Sequence, residues 1–231
     1  MFTGLIQGVG RLATREHPGT DQRLAFAWGT LPHPDIALGE SKWITSDAAR
    51  ADVQRWRARA GAILTGIGTI VADDPRLTVR LDTGEDVAPP LRVVLDDQGR
   101  LPQDARVLTD GAAPTLAVHG EDVVPDYADD QLAFAVRRTP DGLDLGAVLS
   151  QLAQRGIGEL QVEAGATLAG AFLKAGFVDE LLLYIAPVLL GERGRPLFAG
   201  VDPASMADRL GLRLVDTAQV GPDLRLTLVP A

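Results

Sequence analysis

The chain contains no cysteine, which excludes disulfides, thiolate catalysis, cysteine-ligated zinc and iron–sulfur clusters together. Histidine is scarce as well. His17, His33 and His119 are scattered without the spacing of metal ligands, so no metal site is expected. No apolar run approaches the length of a membrane-spanning helix, and no basic, apolar leader opens the chain. A cytoplasmic protein away from membranes is the expectation. Positive charge is in deficit: the formal net charge of −9 argues against a nucleic-acid partner. An acidic protein can still hold an anionic ligand in a local arginine pocket. No internal repeat or low-complexity segment appears. The 231 residues, 46% hydrophobic and 23% charged, make one large domain or two small ones with a proper core.

What is present is organised around residues 157–191. Residues 159–163 form a short, mostly apolar run that reads as a strand. Gly165 is expected to turn the chain sharply at positive φ, Thr167 to cap a helix over 168–175, and Gly176 to close it. Residues 179–186 read as a second, buried strand. This is one βαβ unit, and its turn offers backbone N–H groups and a helix N-terminus to a phosphate. The G-x-x-x-x-G spacing is short of a full dinucleotide fingerprint, and a helix packed closely on a sheet explains it equally well.

Residues 1–28 read as a β hairpin with turn chemistry at His17-Pro-Gly-Thr-Asp-Gln, and 31–35 as a connector. Ser46 caps the clearest helix, which runs to Gly61 with an apolar stripe of Ala49, Val53, Trp56 and Ala60. Arg50, Arg55, Arg57 and Arg59 crowd it; composition alone favours a solvated face complementing the helix dipole. A buried strand at 62–66 leads into a second glycine-rich loop at 66–69. After Asp73-Asp74-Pro75, residues 77–80 resume an extended run. Further strands are expected at 91–96, 114–118 and 132–136, and a helix from Asp144 to about Arg155. An arginine loop at 191–196 and a hairpin of 210–218 with 223–229 complete the chain. The order gives an α/β fold with a mainly parallel sheet, flanking helices and an antiparallel C-terminal hairpin.

Two resemblances sharpen this reading. The opening MFTGLIQGVGRL, with IALGES after it, resembles the start of riboflavin synthase, so 1–38 is expected to be an N-terminal β segment holding part of one barrel. Residues 39–231 resemble the reductase domain of the bacterial bifunctional riboflavin deaminase–reductase. That likeness rests on GESKWITSDAARADVQRWRARAGAILTG, GTIVADDPRLTVR, LRVVLD, VEAGATLAGAFLKAGFVDELLLYIAP and VGPDLRLTL. It implies a dihydrofolate-reductase-like fold, NADPH as cofactor, a homodimer, and reduction of the ribose of 5-amino-6-(5-phosphoribosylamino)uracil. It implies substrate contacts at Ser41, Arg57, Leu77, Arg80 and Glu163. Cofactor contacts are implied at Trp43, Thr69, Asp73, Asp97 and along Gly165, Ala166, Thr167, Leu168, Ala169, Gly170 and Ala171. Arg57 and Arg80 suit a phosphate, since a guanidinium can fork onto it. Glu163, Asp73 or a bound water would deliver the proton that accompanies hydride transfer, and the sequence leaves these open.

Two features depart from that family. Asp97 stands where its members often carry serine. The family's K-x-A-x-S-L-D-G strand before GES is replaced by RLAFAWGTLPHPDIAL, which has no lysine and no aspartate-glycine in register. A cysteine-free chain also cannot build the zinc site of the family's deaminase domain. Reduced turnover with retained NADPH binding is therefore the alternative expectation, and a lumazine-binding protein like riboflavin synthase a remoter one.

Overall fold

The structure, a computed structural model, describes residues 6–10, 23–28, 44–81, 87–127, 133–188 and 196–231. Ser41, Trp43, the 31–35 connector and most of the 191–196 arginine loop lie outside the described residues.

In chain order, β1 (Ile6–Gly10) and β2 (Arg23–Trp28) form an antiparallel hairpin, followed by α1 (Asp47–Arg59), β3 (Ala62–Gly66) and α2 (Ile67–Asp73). Then come β4 (Leu91–Leu95), α3 (Arg106–Thr109), β5 (Thr115–Gly120), β6 (Ala133–Val136) and the small ribbon of β7 (Arg138–Thr139) and β8 (Gly142–Leu143). The chain finishes with α4 (Leu145–Gln154), β9 (Glu159–Val162), α5 (Ala166–Lys174), β10 (Glu180–Ile185), β11 (Leu212–Val220) and β12 (Asp223–Pro230). Among the described residues one sheet runs in the order β11-β12-β10-β1-β2-β9-β3-β4-β5-β6. The five strands from β9 to β6 are parallel, and β12 and β11 extend the other side antiparallel. β2 runs parallel to β9, with Leu24 beside Leu160.

Strand alternation sorts the core. Ala62, Leu64, Leu160 and Val162 face α4 and α5, packing with Val148, Leu152, Ala169 and Phe172. Ile63, Val94 and Ala117 face the other way, onto Ile67 and Ile70 of α2 and onto Leu77. On that same second face Ala49 and Val53 of α1 meet Leu182 and Tyr184 of β10. On this face Gln161 of β9, and then Glu163 just past its end, stand between two apolar clusters.

Local chemistry sets the helix limits. Ser46 Oγ accepts from Ala49 N–H and donates to Asp223, which is buried in turn, so the N-terminus of α1 is pinned to β12. Asp144 caps α4, and Gly156 and Gly176 close α4 and α5 at φ +81° and +68°. Tyr184 Oη donates to Asp52 at 2.6 Å and Arg225 adds a second bond to the same oxygen at 2.9 Å, fastening α1 to the sheet. Burial, then Asp52, pushes the Tyr184 hydroxyl pKa up, so it stays a donor throughout the physiological range.

Three expectations are corrected. Residues 66–69 are no loop, because Ile67 and Ile70 recur at helical spacing and bury against the sheet, which starts α2 directly after β3. Residues 77–80 are not extended throughout, since Leu77 sits at φ +49°, and they cross α1 instead of joining the sheet. Thr167 does not cap α5, which begins two residues earlier than expected, at Ala166, with Gly165 as its N-cap.

Gly170 shows why α5 needs a glycine. A Cβ there would stand 1.8 Å from the Ala199 carbonyl oxygen, and Ala199 N–H bonds to the Ala166 carbonyl at 2.9 Å. Gly170→Ala must therefore displace backbone, and we expect a loss of about 1–3 kcal/mol, read as a lower Tm. A variant melting with the parent would show that the 197–200 segment yields freely.

Candidate active site

Glu163 lies one residue past the end of β9, and its N–H still bonds to the Leu64 carbonyl of β3 at 2.8 Å. The side chain is thereby fixed at the carboxyl edge of the parallel strands, where open α/β sheets bind ligands. Arg57, in the last turn of α1, reaches down to it. Its Nε donates to Glu163 Oε1 at 2.5 Å and Nη2 donates to Oε2, a side-on pair, while Nη1 donates to the Thr78 carbonyl at 2.9 Å. Gln161 Nε2 adds a further bond to Oε1 at 2.5 Å. Each partner's side chain is 12% exposed. Burial alone would lower the Arg57 pKa, but the Glu163 carboxylate outweighs it and raises the group above its ordinary value.

This pair decides between the two readings of the arginine-rich helix. Arg57 is no member of a solvated face, and its side-on edge already holds Glu163. Three of its five N–H donors are used, so what it can offer an incoming anion is the remaining outer pair.

The segment after Leu77 is built around this centre. Leu77 sits at φ +49° with its side chain 3% exposed. A bulky residue adopts that left-handed conformation only where its surroundings hold it, and here the second apolar cluster does so. The bend sends 78–80 across Arg57, and Gln54 Oε1 accepts from Arg80 N–H at 2.9 Å. Arg80 is exposed, and among the described residues its guanidinium has no partner. Of the expected substrate residues, Arg57, Leu77, Arg80 and Glu163 are thus brought together.

The expected cofactor residues that the structure describes lie on α2, just past β4, and on the turn and helix after β9. Thr69 is half-buried within α2, and Asp73 is exposed as its last residue. Asp97 follows β4; Arg138 donates to its carbonyl, and its carboxylate lies 3.6 Å from Arg100, which offsets its charge. The N-termini of α2 and α5 adjoin, since a Cβ on Gly66 would touch Leu168 at 3.5 Å. Neither helix has a side-chain cap, so their first-turn N–H groups remain as donors.

The 165–171 stretch differs from its expected form. Gly165 holds φ −73°, so its backbone needs no glycine. Residues 166–171 are helix, not loop, with Ala169 and Gly170 buried, Ala171 half-buried and Thr167 exposed. Gly165, Ala166, Thr167 and Leu168 are the part at the strand ends. Sequence reasoning also passed over Gln161, Gln54 and the Thr78 carbonyl. Gln161 carried a signal, being a polar residue set between the apolar Leu160 and Val162 and two places from Glu163. A groove of about 380 Å³, lined by Leu173, Gly176, Val178, Leu212 and Val229, lies at the opposite strand edge and holds none of these residues.

Comparison with known proteins gives the arrangement its context. The family described as the RibD C-terminal domain matches residues 35–226. The riboflavin biosynthesis protein RibD of Bacillus amyloliquefaciens is 44% identical over 196 residues, covering 83% of this chain and 52% of that protein. The chain spans about half the length of such curated relatives. The 5-amino-6-(5-phosphoribosylamino)uracil reductase of Buchnera aphidicola subsp. Acyrthosiphon pisum is 32% identical over 203 residues, covering 83% of this chain and 97% of that one. The solved structure of Acinetobacter baumannii RibD superposes with a TM-score of 0.71 at 40% identity, covering 84% of this chain and 53% of that one.

Proposed function

Because the chain belongs to the RibD C-terminal domain family, we propose that it reduces the ribose of 5-amino-6-(5-phosphoribosylamino)uracil to the ribityl side chain, with NADPH as reductant. The observation that carries this reading is the Arg57–Glu163 pair at the carboxyl edge of β9, with the unpartnered Arg80 beside it. It offers a carboxylate acceptor and two cationic groups at one place, which suits a hydroxylated, phosphorylated sugar.

The residues present fit NADPH. The uncapped first turns of α2 and α5 offer N–H donors to a pyrophosphate, with Thr69, Gly165, Ala166, Thr167 and Leu168 around them. Arg100 tempers the Asp97 carboxylate at the same edge. When bound, the cofactor supplies the hydride that C1 of the ribose receives. The protein's part is orientation and proton handling. A carboxylate gripped side-on by a guanidinium accepts hydrogen bonds, so Glu163 orients the substrate and Arg80 draws in its phosphate. Asp73, exposed at the end of α2, or a water it holds, supplies the proton.

We read residues 39–231 as the reductase domain and 1–38 as a separately derived β segment, whose β2 lies beside β9. The lysine and the aspartate-glycine absent from that segment set turnover below that of a relative with the full strand. A homodimer is the proposed assembly: β11 is an edge strand among the described residues, and Leu214 and Val215 on it are 54% and 53% exposed. NADPH oxidation followed with and without the phosphorylated pyrimidine tests the function. Oxidation that depends on the pyrimidine is expected; a rate indifferent to it refutes the reading.

A further inference from the structure

Gln161 has no part in the function as read so far. Its side chain is fully buried, and it sits in a strand whose neighbours Leu160 and Val162 are apolar core. Its amide nitrogen must face Glu163, because a carboxylate only accepts and the contact to Oε1 is 2.5 Å. That orientation leaves the amide oxygen buried without a partner. Packing does not ask for this. Methionine or leucine would fill the same space with no unsatisfied oxygen, so what glutamine adds at this position is the donated hydrogen bond.

A carboxylate offers about four acceptor directions, two on each oxygen. Arg57 Nε and Gln161 Nε2 occupy those of Oε1, and Arg57 Nη2 takes one on Oε2. A single direction on Oε2 remains open. We propose that Gln161 is a positioning residue, which by occupying Oε1 fixes the Glu163 carboxylate with one acceptor aimed at an O–H or N–H of the substrate. The proposal rests on the assignment of Glu163 to the substrate site.

Gln161→Met keeps the shape and removes both the donor and the orphan oxygen. The expected result is a KM for the phosphorylated pyrimidine raised about tenfold, an unchanged NADPH Kd, and a Tm equal to or above the parent's. Gln161→Glu donates only when protonated, so its kcat/KM relative to the parent should rise as pH falls from about 8 to about 6. An unchanged KM in folded Gln161→Met overturns the proposal. A fall in Tm and NADPH affinity together does so too, since both mark a packing role. A crystal structure of Gln161→Met decides the point independently of turnover: a carboxylate rotated from its place supports it, and an unmoved one overturns it. A parent chain that neither binds nor reduces the pyrimidine would sink the substrate assignment, while the crystal structure would still decide what Gln161 does to Glu163.

Discussion

Arg57→Ala should lower kcat/KM for the phosphorylated pyrimidine by about a hundredfold or more, with NADPH affinity kept within about twofold. The guanidinium is buried, gives Glu163 two bonds and ties down the Thr78 carbonyl. Removing one partner of such a pair strands the other charge, at roughly 3–5 kcal/mol. The loss is expected to fall on the substrate because α1 and 78–80 meet at the proposed substrate site, whereas Thr69 and 165–168, proposed for the cofactor, belong to α2 and the start of α5. Part of it will show as lower stability, so Arg57→Lys is the companion variant. It keeps the charge but loses the side-on fork, and should stay folded with a raised KM. Folded Arg57→Lys with parental KM would return Arg57 to a purely structural role.

The largest effect on stability is expected at Arg92, far from the chemistry. Its side chain is 1% exposed, and Nη1 bonds to Asp110 at 2.8 Å and to the Arg76 carbonyl at 3.0 Å, with Nη2 on the Ala113 carbonyl. One cation thus gathers the chain on either side of β4. Arg92→Met leaves the carboxylate and both carbonyls without it, costing about 3–5 kcal/mol and a Tm drop on the order of 10 °C. The same pair gives a signed pH dependence. Burial would raise the Asp110 pKa, but the Ala112 N–H and then Arg92 lower it below its ordinary value. A lowered carboxylate pKa stabilises the fold above the unfolded value, and the gain disappears as pH falls through the folded one. The parent should therefore lose stability on acidification more steeply than Asp110→Asn. Equal acid slopes would contradict the assignment.

The parts of this molecule legible in sequence were those governed by local chemistry. Ser46 and Asp144 cap their helices, and Ala49, Val53 and Ala60 form a buried stripe. The parallel strands read correctly because their apolar runs are bounded by turns. Boundaries failed where local signals conflicted: the glycines at 66 and 68 suggested a loop, yet Ile67 and Ile70 gain more by burying as a helix. Long-range pairing was illegible in principle. Arg57 and Glu163 are separated by 106 positions, and composition alone made Arg57 one of four arginines on a helix surface. The resemblance to a family of reductases put both at the substrate, but not their mutual grip or Gln161 beneath it.

The central claim is that this chain passes a hydride to the ribose carbon of a phosphorylated aminopyrimidine. The most direct measurement uses NADPH carrying deuterium at the transferable position of the nicotinamide, with the product examined by mass spectrometry and NMR. The account predicts one deuterium per product molecule, at C1 of the ribityl chain, formed in step with NADPH consumption. Product without deuterium at C1, or NADPH consumed with no change in the sugar, would contradict it.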